Sequence, residues 1–200
     1  MLAALWMGLP AGHWRRPRVL WQDRRLVPEG ALGEVCAMSM IGNFVALRPD
    51  KLAELKDDPE AIDAFIYPED EAAIPHHLDV DKAWHAIHFV LNGEVWGGEG
   101  PLGQAVMGGE EIGDDIGYGP ARFLTPGEVR DIAHALVHLS PAQFSERFNA
   151  RALHEAEIYP QIWLTEGELA RDFVVDHYRL MMDFYRDAAG RGDGALLFLN

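Results

Sequence analysis

The amino-acid sequence predicts an α+β fold, in which a small mixed or antiparallel sheet of about four strands is covered by helices in a single domain. One observation behind this prediction is the order of the segments: strand, helices, two strands, helices, strand. That order lacks the strict alternation of strand and helix found in doubly wound parallel sheets. The other is composition, because 200 residues of which 48% are hydrophobic can enclose one sizeable core.

The first half of the regular sequence predicts one strand and several helices. Residues 40–47 form a β-rich run, which is typical of a strand. The Asp58-Pro59 pair supplies an N-cap followed by proline and predicts a helix that ends near Phe65. Asn92-Gly93 predicts the end of a central helix over residues 78–93, with Asp79 or Asp81 as its N-cap.

Three capping boxes predict helix starts in the second half, at residues 125–128, 140–143 and 165–168. Each places Ser or Thr three positions before Glu or Gln, so that side chains satisfy the first free amides of a helix. The third box is predicted to open the longest helix, which runs to about residue 189 with Leu169 turned inward. The strands predicted in this half cover residues 104–107, 120–124 and 195–199.

Residues 1–37 differ from residues 38–200, which we take as the single α+β domain. They hold five arginines, no lysine and three acidic residues. Three interpretations of this extension are open: a start codon assigned too far upstream, an N-terminal arm, and a targeting segment. In the first, Met38 or Met40 is the true start.

We expect deletion of residues 1–37 to leave the melting temperature nearly unchanged. Their charge opposes that of the remaining chain, and their apolar residues show no sustained period. Thermal melts of the full and shortened chains test this. A loss of several degrees, on the order of 1–2 kcal/mol for a domain of this size, would show instead that the extension is packed.

The charge balance narrows the classes of partner. The chain carries 17 basic and 32 acidic residues, and residues 38–200 keep 12 and 29 of these. Such a surface repels nucleic acid and anionic membranes and favours a basic protein partner. No run of eighteen apolar residues occurs, and the single cysteine, Cys36, allows no intrachain disulfide. We therefore expect a cytoplasmic protein without a membrane span.

The central helix carries the first candidate site, because two histidines lie beside its apolar side. Asp81 stands one turn before His85, where a contact could orient the imidazole for acid–base chemistry. The alternative is structural: Asp81 caps the helix and His88 makes a buried hydrogen bond to backbone. The apolar row consists of Val80, Trp84, Ile87 and Leu91, and the polar row of Asp81, His85, His88 and Asn92.

Other motifs do not support a known chemistry. Residues 98–103 match the glycine pattern of dinucleotide sites, but Pro101 removes an amide and a strand is predicted to follow where a helix is required. His134 and His138 have zinc spacing but lack the intervening glutamate and an evident third ligand. No nucleophile elbow or phosphate-binding loop occurs. We predict neither metal nor cofactor.

Five segments together resemble the bacterial YfbM-like family. The resemblance extends from Met38 to Asn200 and implies a soluble α+β domain with no established activity, cofactor or catalytic residues. The segments are MSMIGNF at 38–44, DKAWHAIHFVL at 81–91, GGEEIGDDIGYGPARFLTPGEV at 108–129, AEIYPQIW at 156–163 and LLFLN at 196–200.

These segments mix glycine, aromatic and ionisable residues, which core packing alone does not require, and we predict that they line one pocket. The favoured hypothesis is a non-catalytic binding protein, which uses either an acidic face for a basic protein or a small-ligand pocket. The alternative is an enzyme with His85 or His88 as general acid or base and Arg122 holding an anionic group. The predicted pocket residues are Asp81, Trp84, Tyr118, Arg122, Tyr159 and Trp163.

Overall fold

A computed structural model describes residues 39–68 and 74–200 of the chain. The predictions for residues 1–37 therefore lie outside the described residues. The strands are β1 (Gly42–Leu47), β2 (His77–Asp79), β3 (Glu110–Asp115), β4 (Pro120–Leu124) and β5 (Gly194–Leu199). The helices are α1 (Pro49–Asp57), α2 (Ala61–Ile66), α3 (Trp84–Asn92), α4 (Gly100–Met107), α5 (Pro126–Val137), α6 (Pro141–Arg147), α7 (Ala150–Glu155), α8 (Trp163–Glu166) and α9 (Glu168–Arg191).

The five strands form one antiparallel sheet in the order β2-β1-β5-β4-β3. This confirms the predicted α+β class, with five strands where about four were expected. The central strand β5 pairs with β1 along all of its six residues. It pairs with β4 only from Ala195 to Leu197, so the two strands separate beyond that point.

Both faces of the sheet are covered by helices. Successive side chains of a strand point to opposite faces, and β5 follows this rule: Leu197 packs into the larger core, while Leu196 and Phe198 pack into the smaller one. The larger core contains residues of α3, α4, α5 and α9, and the smaller contains residues of α1 and α2. None of the helices in the described part of the chain combines the length and hydropathy that a membrane crossing requires.

Two of the three predicted capping boxes are present. The Thr125 and Ser140 side chains each accept the backbone N–H three residues on and open α5 and α6. The third box is wrong, because the Thr165 hydroxyl donates to the Ile162 carbonyl inside α8. The helical backbone is interrupted at Gly167, and α9 begins at the next residue. Leu169 was predicted to face inward, but in this helix it is 66% exposed.

The glycine-rich middle of the chain was predicted incorrectly. Residues 104–107 are the end of helix α4, which has a proline in its first turn, and not a strand. The glycines here allow a close backbone approach, since a Cβ on Gly103 would lie 2.5 Å from the carbonyl carbon of Gly98. Strand β3 was missed because only Ile112 among its residues is buried, so it lacks the apolar alternation of an inner strand.

The central helix begins later than predicted. Residues 81–83 form a 3₁₀ turn, and α3 starts at Trp84 without a side-chain cap. Asp79 accepts the N–H of Asp81, whose φ is 48°, so neither aspartate caps α3. The predicted end is confirmed, since Gly93 closes α3 in the left-handed conformation. The helix predicted from the Asp58-Pro59 pair likewise starts later, at Ala61.

Candidate functional site

A cleft of about 240 Å³ opens where β4 separates from β5. Its floor is the end of β5 and the start of β1, and its rim is the turn between β3 and β4. Residues from α3, α4 and the loop between these helices close the other side. The lining residues are Gly42, Asn43, Phe44, Trp84, Trp96, Val106, Met107, Glu111, Tyr118, Gly119, Pro120, Arg122, Leu197, Phe198 and Leu199.

Two tryptophans form the aromatic wall of this cleft. Trp84 is fully buried and stacks on His85, with 4.6 Å between ring centroids. Trp96 lies on the α3–α4 loop, 60% exposed, with its ring centroid 6.2 Å from that of Trp84. A large aromatic ring exposed beside a concave surface is a ready contact for a ligand, since it combines apolar area with a polar edge.

Tyr118 contributes a polar group without a partner. Its hydroxyl is buried, yet no atom of the described residues hydrogen-bonds to it. Leaving a buried hydroxyl unsatisfied costs about 1–3 kcal/mol. A bound molecule with a hydrogen-bonding atom at this point would recover that cost.

Arg122 is held by the protein itself. Its Nε and one terminal nitrogen donate to the carbonyls of Gly108 and Gly109, at 3.3 and 3.1 Å. Its other terminal nitrogen lies 2.6 Å from the carboxylate of Glu111, its cross-strand neighbour. The guanidinium thus fastens the α4–β3 turn to β4. The predicted role of Arg122 as holder of an anionic group stays a prediction, and these three acceptors already engage three of its five N–H groups.

His85 uses both ring nitrogens for structure. Its Nδ1 accepts the N–H of Tyr159 at 3.1 Å, which requires the proton to lie on Nε2, and Nε2 donates to the Val95 carbonyl at 3.0 Å. The ring is 2% exposed, and burial lowers its pKa despite the hydrogen bond to Val95. His85 is therefore a neutral link between α3, the Trp96 loop and the segment before α8.

His88 is a second buried imidazole beside the same loop. It is fully buried next to Asn92, whose amide donates to the Gly97 carbonyl at 3.4 Å, one residue beyond Trp96. Burial lowers the pKa of His88 to about 4, with a further contribution from nearby His85. The amide nitrogen of Asn92 lies 3.3 Å from the ring. Together, His85 and Asn92 hold the loop on either side of Trp96.

The two histidines of the enzyme hypothesis therefore do not open into the cleft beside Arg122. Both rings are buried, and neither lines the cleft. Asp81 does not orient His85 either, because its carboxylate accepts the N–H of Lys82 at 2.8 Å. The physical reason is that two backbone groups bond the nitrogens of His85: the Val95 carbonyl just after α3, and the N–H of Tyr159, which is 74 residues away.

A family model described as a domain of unknown function (DUF1877) matches residues 38–198. The chain belongs to this family. Protein YfbM of Escherichia coli (strain K12) is 28% identical over 167 residues, which cover 80% of this chain and 97% of that protein. The crystal structure of YfbM, a protein of unknown function from Escherichia coli, matches with a TM-score of 0.61 at 25% identity and covers 80% of this chain and 99% of that one.

Membership of the DUF1877 family confirms the predicted resemblance and the predicted fold. Three of the six predicted pocket residues, Trp84, Tyr118 and Arg122, line the same cleft. Tyr159 does not line the cleft. Its hydroxyl accepts the N–H of Met40, and its backbone N–H donates to His85. Trp163 is fully buried in the core, and its indole donates to the Ile158 carbonyl.

In this member of the DUF1877 family, the cleft residues that were missed from the sequence include Trp96 and Glu111. Trp96 stands in a glycine-rich loop, and a lone tryptophan between glycines is a signal that could have been used, because no core stripe surrounds it. Glu111 lies in an acidic, glycine-rich stretch of the sequence, and only the pairing of β3 with β4 places it beside Arg122.

A metal centre has no basis in the described residues of this family member. Within 39–68 and 74–200, no three His, Cys, Asp or Glu side chains gather around a common point. His134 and His138 are exposed on α5, with ring centroids 5.0 Å apart. Two ligands on one helix face leave the coordination sphere of a structural or catalytic zinc ion incomplete.

Proposed function

We propose that this chain is a non-catalytic binding protein that holds a small molecule in the cleft between Trp96, Tyr118 and the end of β5. The observation that carries the proposal is the buried Tyr118 hydroxyl, which lacks a partner among the described residues and stands in the wall of the cleft. Native proteins satisfy nearly all buried polar groups, so an exception at a cavity is a point where a bound molecule can supply the missing hydrogen bond.

The fixed position of Trp96 supports this proposal. The loop around it is tied to α3 by His85 at Val95 and by Asn92 at Gly97. Asn92 also accepts the N–H of Glu94 at 2.6 Å. Holding an exposed aromatic side chain in place before binding reduces the entropy lost when the ligand arrives.

The proposal assigns no proton-transfer role to this site. His85 and His88 are sealed and neutral, and Glu111 is paired with Arg122. A general acid or base has to reach the reacting atoms of a bound substrate. Neither histidine does so from its buried position. The compartment we propose is the cytoplasm, in keeping with the charge of the chain and its single cysteine.

A second candidate function is binding of a basic protein, and the edge strand β3 favours it. Four acidic side chains, Glu110, Glu111, Asp114 and Asp115, are exposed along this strand. Such a face attracts a basic partner at low salt. A pull-down at low and high salt separates the two candidates. A partner captured at low salt and lost at high salt supports the acidic face, and capture at neither salt counts against it.

The small-molecule proposal is tested by a thermal-shift screen of the full chain against a metabolite library. A ligand present at 100 times its Kd adds about 2.7 kcal/mol to the unfolding free energy. For a domain of this size, that raises the melting temperature by about 5–10 °C. Trp96→Ala and Tyr118→Phe should each abolish or strongly reduce the shift.

The matched control is Tyr67→Ala, since Tyr67 is another exposed aromatic residue and is remote from the lining of the cleft. It should keep the full shift. Ligands that stabilise the wild-type chain and the Trp96→Ala and Tyr118→Phe variants equally would place binding elsewhere and refute the proposal. A library without any stabilising compound would also count against it.

A further inference from the structure

We infer that the ligand of this cleft is an organic cation, a protonated or quaternary amine, and that Trp96 and Glu111 recognise its charge. This inference rests on the proposed function, since it names the chemical class of the small molecule. Three independent features support it: the balance of charges at the cleft, the aromatic wall, and the charge of the whole domain.

The charges at the cleft leave a carboxylate available and a guanidinium occupied. One oxygen of Glu111 is paired with Arg122, and its side chain is 61% exposed. The other oxygen has no partner among the described residues. Arg122 donates to two backbone carbonyls as well as to Glu111. An incoming anion would compete with Glu111 for this arginine, whereas an incoming cation finds a carboxylate oxygen already in place.

The aromatic wall gives the cation its second contact. The faces of aromatic rings carry partial negative charge and attract ammonium groups, with tryptophan the strongest. Trp84 and Trp96 both line the cleft, and their planes are tilted by 43° to each other. Trp96, which is 60% exposed, presents its ring to the cation, while the fully buried Trp84 supports that ring from behind. The hydroxyl of Tyr118 supplies an acceptor for an N–H or O–H of the same ligand.

The electrostatic field of the whole domain also favours a cationic ligand. Residues 38–200 hold 12 basic and 29 acidic side chains. A surplus of this size raises the local concentration of cations and lowers that of anions around the protein. The acidic strand β3, which contains Glu111, runs beside the cleft. The long-range field and the local contacts therefore favour the same sign of ligand charge.

The test compares choline with its neutral isostere 3,3-dimethylbutan-1-ol, which has the same shape and lacks the charge. Binding to the full chain is measured by calorimetry at low ionic strength. We expect choline to bind about tenfold more tightly, which corresponds to the contribution of cation–π contacts. Equal or tighter binding of the neutral compound, or no binding of choline, would overturn the inference.

Glu111→Gln is the decisive variant, and Glu110→Gln is its matched control. Both remove one negative charge from neighbouring exposed positions of β3, so their long-range effects are alike. Only Glu111 lines the cleft. Choline affinity should fall in Glu111→Gln and stay unchanged in Glu110→Gln. Equal losses would show that the cleft makes no specific contact with the cation and would overturn the inference.

A second arm distinguishes a free amine from a side chain of another protein. A short peptide with N-trimethyl-lysine is compared with choline and with the unmodified peptide. Tighter binding of the methylated peptide assigns the cation to a protein partner, and tighter binding of choline assigns it to a small metabolite.

The failure of this inference can be told apart from failure of the proposed function. If the library screen gives neutral or anionic ligands whose shift is lost in Trp96→Ala, the cleft is a binding site and the cation inference is wrong. If no compound depends on Trp96 or Tyr118, both fall together.

Discussion

Replacing Trp84 with alanine is expected to lower the free energy of unfolding by about 3–5 kcal/mol. The side chain is fully buried and stacks on His85, and its indole donates to the Met40 carbonyl at 3.1 Å. It also packs against Gly42, where a Cβ would lie 2.6 Å from that of Trp84. The substitution therefore leaves a cavity beneath the sheet and removes one wall of the cleft. Denaturant unfolding monitored by circular dichroism measures the loss.

Trp96→Ala is the matched control for this prediction. It removes the same side chain from a position that is 60% exposed. We expect a change within about 1 kcal/mol, as is usual for surface substitutions. If Trp84→Ala unfolds at the same denaturant concentration as Trp96→Ala, the packing around Trp84 described here is incorrect.

The second large effect is expected from acid. Burial lowers the pKa of His88 from 6.5 to about 4 in the folded protein, and the pKa of His85 is lowered as well. Between these two pH values the unfolded chain binds more protons than the folded one, so acid favours unfolding. The contribution of neutral His88 to the free energy of unfolding is fully present above about pH 6.5 and is lost as the pH falls towards about 4. The loss from His88 is on the order of 3 kcal/mol.

The measurement is a series of denaturant melts from neutral pH to about pH 4. His88→Gln keeps a polar side chain that does not titrate in this range, so it should show a smaller loss over the same interval. His134→Gln, at an exposed histidine, should keep the wild-type loss. A wild-type profile that stays flat between pH 6.5 and 4 would contradict the buried, neutral state of His88.

Local sequence signals predicted the parts of the fold that depend on neighbouring residues. The boxes at Thr125 and Ser140 and the glycine stop at Gly93 need only three to five residues to form. The row that buries Trp84 follows from helical periodicity and is confirmed. Such features are set by short-range geometry and are therefore visible in one sequence.

Features that depend on contacts between distant segments were missed. Strand β3 forms because β4 pairs with it, and its own residues are mostly exposed and acidic. The capping box predicted at Thr165 does not form, because the helical backbone is interrupted at Gly167 and α9 begins only after it. The role of His85 is fixed by Val95 and by Tyr159, which is 74 residues away. Periodicity identified His85 as close to the core, but not the groups that its nitrogens bond.

The same distinction explains the candidate site. Trp84, Tyr118 and Arg122 were predicted to share a pocket from their place in the motifs, and they do line one cleft. Tyr159 and Trp163 lie in another of the family segments, at 156–163, and they contribute to packing and not to the lining of the cleft. Motif membership marks residues that matter to the fold or the site, and only the three-dimensional arrangement separates the two.

The most direct test of the cleft as the binding site is the indole N–H resonance of Trp96, followed by NMR during titration with a ligand from the screen. Trp163 is an internal reference, since its indole is buried and bonded to the Ile158 carbonyl. We predict that the Trp96 resonance shifts progressively and saturates with the ligand, while that of Trp163 stays in place. A ligand that binds and stabilises the protein without moving the Trp96 resonance would contradict the account.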